Sequence, residues 1–173
     1  MERLKWVDRK FHFDVPPGWM PNVIARLAGT QARIEEYTRH LTEQEAEFKP
    51  NDKWSVKEHI GHLSDLEDLH AGRLQDFRDR KPMLRAADMA NVATEKANHN
   101  YSSIESLIKD FSRKRNMFIT NLNTLDDSTQ LFVSAHPRLK VQMKPVDMAT
   151  FTAEHDDHHI ASILEIVRDL KKL

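Results

Sequence analysis

The chain has 173 residues, of which 39% are hydrophobic and 31% are charged, and its formal net charge is -1. This length predicts one domain, residues 1–173, with a hydrophobic core. The near-neutral charge indicates neither a nucleic-acid partner nor an anionic membrane surface.

Membrane, secretory and thiol-based classes are also disfavoured by the sequence. No apolar run reaches the roughly 18 residues of a membrane span. The N-terminus carries no apolar signal core, so we expect a cytoplasmic protein. Because cysteine is absent, disulfides and thiolate ligands are excluded. Soft-metal chemistry would therefore rest on the 10 histidines and the carboxylates.

The N-terminal third is predicted to hold an extended arm and one long helix. Residues 1–20 are expected to be extended, because Pro16, Pro17 and Gly18 interrupt regular structure. Pro21 suits a first helical turn, and apolar residues at helical spacing continue to about Glu45. We therefore expect an arm followed by an amphipathic helix.

Two further helices are predicted by their N-terminal signals. Ser55 with Glu58 matches a capping box, and the second helix is expected to run from there to residue 79. Residues 83–101 predict a short helix or an ordered excursion. Ser102 with Glu105 matches a second capping box, and the third helix is expected to run to about Leu125.

The last helix follows a long connection. Residues 126–146 contain two prolines and exceed the usual loop length. Residues 147–170 carry apolar side chains three and four apart, the spacing of one helical face. Four long amphipathic helices predict an all-α helical bundle.

The last helix carries the motif E-H-D-D-H-H-I, from Glu154 to Ile160. His155 and His159 fall on the apolar face, one helical turn apart, so both imidazoles can bind one metal ion. Asp156 and Asp157 lie on other faces, and we expect them to face water.

A third ligand is expected from another helix, since an open metal site needs about three protein ligands. His62 is the first choice, because Gly61 beside it permits close approach of a neighbouring element. His59, one turn earlier, is the alternative. His158 is about 100° round the helix from its neighbour, which suits a supporting role. His70 continues the same face of helix two and stays a candidate.

The acid–base group is not identified by the sequence. Glu154 and Asp65 lie within a turn of the candidate ligands, although carboxylates on helices are usually solvated. Asn98, Asn100 and Arg33 are candidate pocket residues, for which helix capping or surface solvation is the competing explanation.

Two motifs together resemble the DinB-like (DinB/YfiT) superfamily. They are W-S-V-K-E-H-I-G-H-L, from Trp54 to Leu63, and E-H-D-D-H-H-I. The dipeptide His136-Pro137 and the stretch 33–36 are also similar to the family pattern. The resemblance covers nearly the whole chain.

This resemblance implies an up-down-down-up four-helix bundle with one divalent metal ion, nickel or zinc in many members. It assigns the ligand positions to His62, His155 and His159, in agreement with the spacing argument. Members are commonly homodimers. Relatives include S-transferases that use bacillithiol or mycothiol and a maleylpyruvate isomerase, and the family name implies no DNA chemistry here.

The first hypothesis is therefore a metal-dependent transferase that activates a small thiol against a small-molecule substrate. A hydrolase that activates water is the close second. The alternative from another class is a metal-stabilised binding or stress protein without turnover. A metal-free bundle with hydrogen-bonded histidines is the third possibility.

Overall fold

A computed structural model describes residues 3–172, except for the side chain of residue 52. Residues 1, 2 and 173 of the predicted arm and domain lie outside the described part. The helices are α1 (Met20–Thr38), α2 (Glu43–Glu47), α3 (Val56–Arg78), α4 (Val92–Ala97), α5 (Ile104–Asn123), α6 (Asp127–Gln130) and α7 (Pro145–Leu170). Strands β1 (Ser134–Ala135) and β2 (Gln142–Met143) form an antiparallel hairpin between α6 and α7.

The four long helices form the predicted bundle. Helices α1 and α3 each pack against both α5 and α7. One core cluster joins the N-terminal halves of α1 and α7 to the C-terminal halves of α3 and α5. A second cluster joins the four opposite halves. Helices α1 and α7 are therefore parallel to each other and antiparallel to α3 and α5, which confirms the up-down-down-up order.

A buried ion cluster lies between the two apolar clusters. Arg115 of α5 donates to Glu67 of α3 and to Asp156 of α7, and all three side chains are at most 2% exposed. Thr30 of α1 also donates to Asp156, at 2.8 Å. Each of the four long helices therefore contributes to one polar group in the interior.

The expectation that both acids of the last helix face water is wrong. Asp156 is fully buried in the ion cluster, and Asp157 pairs with Arg26 and Arg33 of α1. The reason is that α7 packs against two helices, so most of its circumference faces protein. The two acids of the motif therefore bind other helices of the bundle, whereas its histidines lie on another face of α7.

The N-terminal arm is extended, as predicted, apart from short 3-10 turns at Trp6–Asp8 and Pro17–Trp19. Backbone N–H groups of Asp14 and Val15 donate to the Asp147 carboxylate at the start of α7. Trp6 packs against Phe151, with ring centroids 5.1 Å apart. The arm therefore covers one side of α7 near the histidine motif.

Two helix boundaries differ from the sequence prediction. Helix α1 ends at Thr38, and α2 is a separate helix with a capping box between Thr42 and Glu45. Helix α5 is capped by Ser103, whose side chain accepts from the Ser106 N–H, and not by the preceding serine. The predicted start of α3 at Ser55 is confirmed. No helix in the described range is long and apolar enough to cross a membrane.

Candidate metal centre

Helices α3 and α7 bring three histidines together inside the bundle. His62 of α3 and His155 and His159 of α7 each offer a ring nitrogen, and these three atoms lie within 4.8 Å of one another. The Nε2 atoms of His155 and His159 are 3.2 Å apart. Two nitrogens bound at about 2.0–2.1 Å to a tetrahedral ion would be roughly 3.3 Å apart. The observed separation fits a shared metal ion.

A hydrogen-bond chain determines which nitrogen of His62 faces the centre. Thr94 of α4 donates its hydroxyl proton to Asp65, at 2.8 Å. The Thr94 oxygen therefore accepts from Nδ1–H of His62, at 3.0 Å. This leaves a lone pair on Nε2 of His62, the form in which an imidazole binds metal.

The Asp65 carboxylate is itself held by a second partner. His99, in the 3-10 turn His99–Tyr101, lies 2.9 Å from the same Asp65 oxygen. Burial raises the pKa of Asp65, but the hydrogen bonds from His99 and Thr94 outweigh it and leave the pKa below its ordinary value. The carboxylate therefore stays ionised and fixes Thr94 in its donating role.

Gly61 is the residue that lets His99 reach this carboxylate. A Cβ atom at Gly61 would lie 2.2 Å from Cγ of the His99 ring, closer than atoms can approach. The close approach expected at this glycine is therefore confirmed, and the approaching element is the turn that carries His99.

His59 supports the centre from outside the group of three. Its Nδ1 lies 2.8 Å from Nδ1 of His159. If His159 carries its proton on Nδ1 and donates it to His59, its Nε2 is free to bind metal. His155 differs, because its buried Nδ1 has no hydrogen-bond partner among residues 3–172.

Burial keeps these imidazoles neutral. Loss of solvent lowers the pKa of His62 to about 4 and that of His59 to about 3. The pKa values of His155 and His159 also lie well below the ordinary value, for the same reason. Neutral imidazole is the ligating form, so the site is ready for metal at neutral pH.

Two tryptophans border the centre. The Trp54 ring lies 4.7 Å from that of His62 and stacks on His159 at 5.9 Å. Trp6 of the arm meets the His155 ring edge-on at 5.0 Å. These rings pack against the imidazoles and restrict their movement.

The three histidines line a cleft of about 550 Å³. This volume lies within the range of small-molecule sites. Other lining residues lie on α3, on the segment before α4, around Pro137 and on the N-terminal arm. The histidine centre is therefore reachable by a small molecule.

The remaining predicted histidines lie near the centre but outside the group of three. His158 lines the cleft, and its Nδ1 lies 3.3 Å from Nη2 of Arg9. His70 also lines the cleft, next to Glu67. The sequence suggests His158 as a supporting group and His70 as a further candidate ligand, and neither is hydrogen-bonded to one of the three histidines.

Of the polar residues that the sequence suggests for the site, one is connected to the three histidines and the others lie elsewhere. Asp65 reaches His62 through Thr94, as described above. Glu154 pairs with Arg26, away from the cleft. The three residues proposed for the pocket do not line this cleft: Arg33 pairs with Asp157, Asn100 accepts from Ser55, and Asn98 is exposed.

Sequence reasoning did not assign Trp6 or Arg73 to the cleft that contains the histidines, and it did not identify Thr94 as the partner of His62. Thr94 and Trp6 come from segments without periodicity, so no local pattern predicts their neighbours. Arg73 follows His62 by eleven residues, about three helical turns. That spacing on α3 is the signal that could have identified it.

Both the sequence and the fold are similar to those of known proteins. A model of the DinB superfamily matches residues 26–163. The structure of YfiT from Bacillus subtilis, described as a probable metal-dependent hydrolase with an unusual four-helix bundle topology, aligns with a TM-score of 0.80. The two sequences are 18% identical, and the alignment covers 94% of each chain. The search of curated proteins gave no match.

Proposed function

The chain belongs to the DinB superfamily, and we propose that it is a metal-dependent enzyme whose divalent ion is bound by His62, His155 and His159. The observation that carries this proposal is the convergence of three neutral, largely buried imidazoles at the wall of a cleft. Three protein ligands are typical of catalytic zinc sites, in which a further position stays open. Imidazole ligands suit nickel and zinc, and these are the metals we propose.

A bound divalent ion would lower the pKa of a coordinated water or thiol toward neutrality. The protein's own contribution is orientation. Asp65 and Thr94 hold His62 with its Nε2 free. A proton donated from Nδ1 of His159 to His59 would leave Nε2 of His159 free in the same way. The two tryptophans keep the ligand rings in place.

Hydrolysis of a small molecule is the reaction we favour. The description of YfiT as a probable metal-dependent hydrolase supports this choice. Transfer to a small thiol is the second candidate, because a cleft of about 550 Å³ has space for a thiol as well as a substrate. We further propose that residues 1–173 form one domain that assembles as a homodimer, which light scattering would test as a particle of twice the chain mass.

Metal content tests the ligand assignment. Untagged wild type should retain about one nickel or zinc ion per chain, measured by mass spectrometry, and His62→Ala and His159→Ala should lose it. His40→Ala is the matched control, because His40 is exposed beyond the end of α1. A wild type that takes up no added nickel or zinc would refute the proposal.

The open coordination position separates an enzyme from a metal-stabilised binding protein. The cobalt-substituted protein should change its visible absorption when azide or a small thiol is added. A spectrum that neither reagent alters would indicate a closed, structural site and would refute the catalytic proposal. Ester and thiol-transfer assays then distinguish the two reactions, and His158→Ala is a useful variant because it retains all three proposed ligands.

A further inference from the structure

The cleft continues from the three histidines to two arginines, Arg73 of α3 and Arg138 of the connection before α7. We propose that this end of the cleft binds an anionic group of a small-molecule substrate, a carboxylate or a phosphate, through Arg73, Arg138 and His136. The inference deepens the proposed function by assigning a substrate class. It rests on that function only for the reacting end of the substrate.

Arg73 is a buried charge without a carboxylate partner. The residue is 4% exposed, and the one side-chain hydrogen bond that it makes in the described structure runs from Nε to the Arg85 carbonyl oxygen, at 3.2 Å. The acid one turn later, Asp76, accepts from Arg85 and Lys81 instead. Burying a charge without a partner is costly, so an arginine in this position indicates a ligand that compensates it.

The charges around Arg73 also favour a bound anion. Burial lowers the pKa of Arg73 to about 10, and the positive charges of Arg138 and Arg85 add to this effect against the attraction of Asp76. Arg138 makes no side-chain hydrogen bond or ion pair with the rest of residues 3–172. A bound anion would relieve the repulsion between the guanidinium groups, and their planar donor arrays match carboxylate and phosphate oxygens.

His136 adds a neutral donor to the same wall. Its Nδ1 accepts from the backbone N–H groups of Arg138 and Leu139, at 3.3 and 3.2 Å. Burial lowers the pKa of His136 to about 4, so the ring is neutral and carries its proton on Nε2. This Nε2 is buried and lacks an acceptor within the described chain. An oxygen atom of a bound anion would satisfy it.

The spacing of these groups defines the shape of the ligand. His62 and Arg73 lie eleven residues apart on α3, so their Cα atoms are separated by roughly 16 Å along the helix axis. Between them on α3, Leu66, Leu69 and His70 line the cleft, and Ala86 and Ala87 add further apolar lining. Asp88 is the one carboxylate in the described lining, and its oxygens accept from the N–H groups of Ala90 and Val92. The substrate class is therefore an elongated small molecule with an apolar middle and one anionic end.

Calorimetry with simple anions tests the proposal independently of turnover. Benzoate and phenyl phosphate serve as probes, and benzamide is the neutral control. Metal-free wild type should bind at least one of the two anions and should not bind benzamide, and the stronger anion identifies the group. Arg73→Gln and Arg138→Gln should each weaken that binding at least tenfold. Arg113→Gln removes an exposed arginine of α5 and should leave the affinity unchanged.

Thermal unfolding distinguishes a binding role of Arg73 from a structural one. If Arg73 stabilised the fold, its removal would lower the unfolding temperature. Arg73→Gln should keep or raise the unfolding temperature of the metal-free protein, because an uncompensated charge is removed. If this variant unfolds and Arg138→Gln binds the anions like wild type, the proposal is overturned. Equal affinities of wild type and Arg73→Gln also overturn it.

The two proposals fail separately. Anion binding that persists in metal-free protein, together with an absence of metal uptake, would refute the metal site and support the arginine site. The arginine site alone would be refuted by a different result. In that case the metal content is normal, anions bind only when metal is present, and Arg73→Gln does not change their affinity.

Discussion

Replacing Arg115 by methionine tests how strongly the stability of the protein depends on the buried ion cluster. The guanidinium of Arg115 is the cationic partner of both Glu67 and Asp156, and all three side chains are at most 2% exposed. Burial alone would raise the pKa of Glu67, but the adjacent Arg115 keeps it below its ordinary value. Methionine keeps an unbranched apolar side chain without the charge, so Arg115→Met leaves two carboxylates buried without their cationic partner.

The expected loss follows from what uncompensated buried charges cost. Removing one partner of a buried ion pair destabilises a protein by about 3–5 kcal/mol. At about 2–4 °C per kcal/mol for a chain of this size, Arg115→Met should lower the unfolding temperature by about 6–20 °C. Urea unfolding followed by circular dichroism measures the free energy directly.

A matched control lies on the same helix. Arg113 pairs with Asp110 at the surface, where its side chain is 61% exposed, and exposed pairs contribute about 0–1 kcal/mol. Arg113→Met should therefore change stability by less than about 1 kcal/mol.

An apolar replacement of the whole cluster completes this test. The triple variant Arg115→Met, Glu67→Leu, Asp156→Leu should recover most of the lost stability, because no unpaired charge stays buried. The reasoning is refuted if Arg115→Met costs no more than the surface control, or if the triple variant is no more stable than Arg115→Met.

Three other predictions concern the histidine centre. Asp65→Asn should weaken metal binding by about 10–100-fold, because a neutral amide replaces the carboxylate that fixes Thr94 as a donor and thereby orients His62. Asp68→Asn, at an exposed position on the same helix, should not weaken it. Metal competition with a chelator measures both affinities. Gly61→Ala should destabilise the protein, because the new Cβ would overlap the His99 ring, while Gly29→Ala meets no atom within 4 Å and should stabilise α1 by up to about 1 kcal/mol. The metal-free protein should lose stability as pH falls from about 6.5, since its buried histidines have folded pKa values as low as about 4 and about 3, and the unfolded chain binds protons first. Each such histidine contributes at most about 1.4 kcal/mol per pH unit, which thermal unfolding between pH 8 and 5 measures.

The outcomes that contradict these predictions are equally specific. Asp65→Asn with wild-type metal affinity would show that the hydrogen-bond chain does not orient His62. Gly61→Ala as stable as Gly29→Ala would show that the turn carrying His99 adjusts freely. An unfolding temperature that is constant from pH 8 to 5 would show that the histidines are solvated, because a neutral buried imidazole must make stability fall over this window.

Local periodicity explains why the long helices and their arrangement as a bundle were predicted correctly. The apolar spacing in each long segment predicts a helix, and four such helices predict a bundle, which the fold confirms. The cap at Ser55 was correct because a capping box involves residues three apart on the same segment. The juxtaposition of His62 with His155 and His159 was predicted by combining one inward-facing histidine with an i, i+4 pair and with the family resemblance; their role as metal ligands stays a proposal.

The errors came from neighbours that local patterns do not specify. Helix α1 ends at Thr38 because a Thr42–Glu45 capping box begins a new helix, although the apolar spacing in the sequence continues past this point. Asp156 and Asp157 lie off the main apolar stripe, but α1 and α5 carry arginines to meet them. Whether such an acid meets water or a guanidinium depends on which helix packs beside it.

The sequence by itself therefore determined the helices, the bundle and the inward histidines, because helix spacing and capping are properties of contiguous residues. Only the tertiary structure decided which groups surround them: the Thr94 and Asp65 partners of His62, the tryptophans, and the unpaired Arg73 at the far end of the cleft. These contacts join segments distant in sequence, and their energies depend on burial and on the partner available. Burial and partners exist only once the chain has folded.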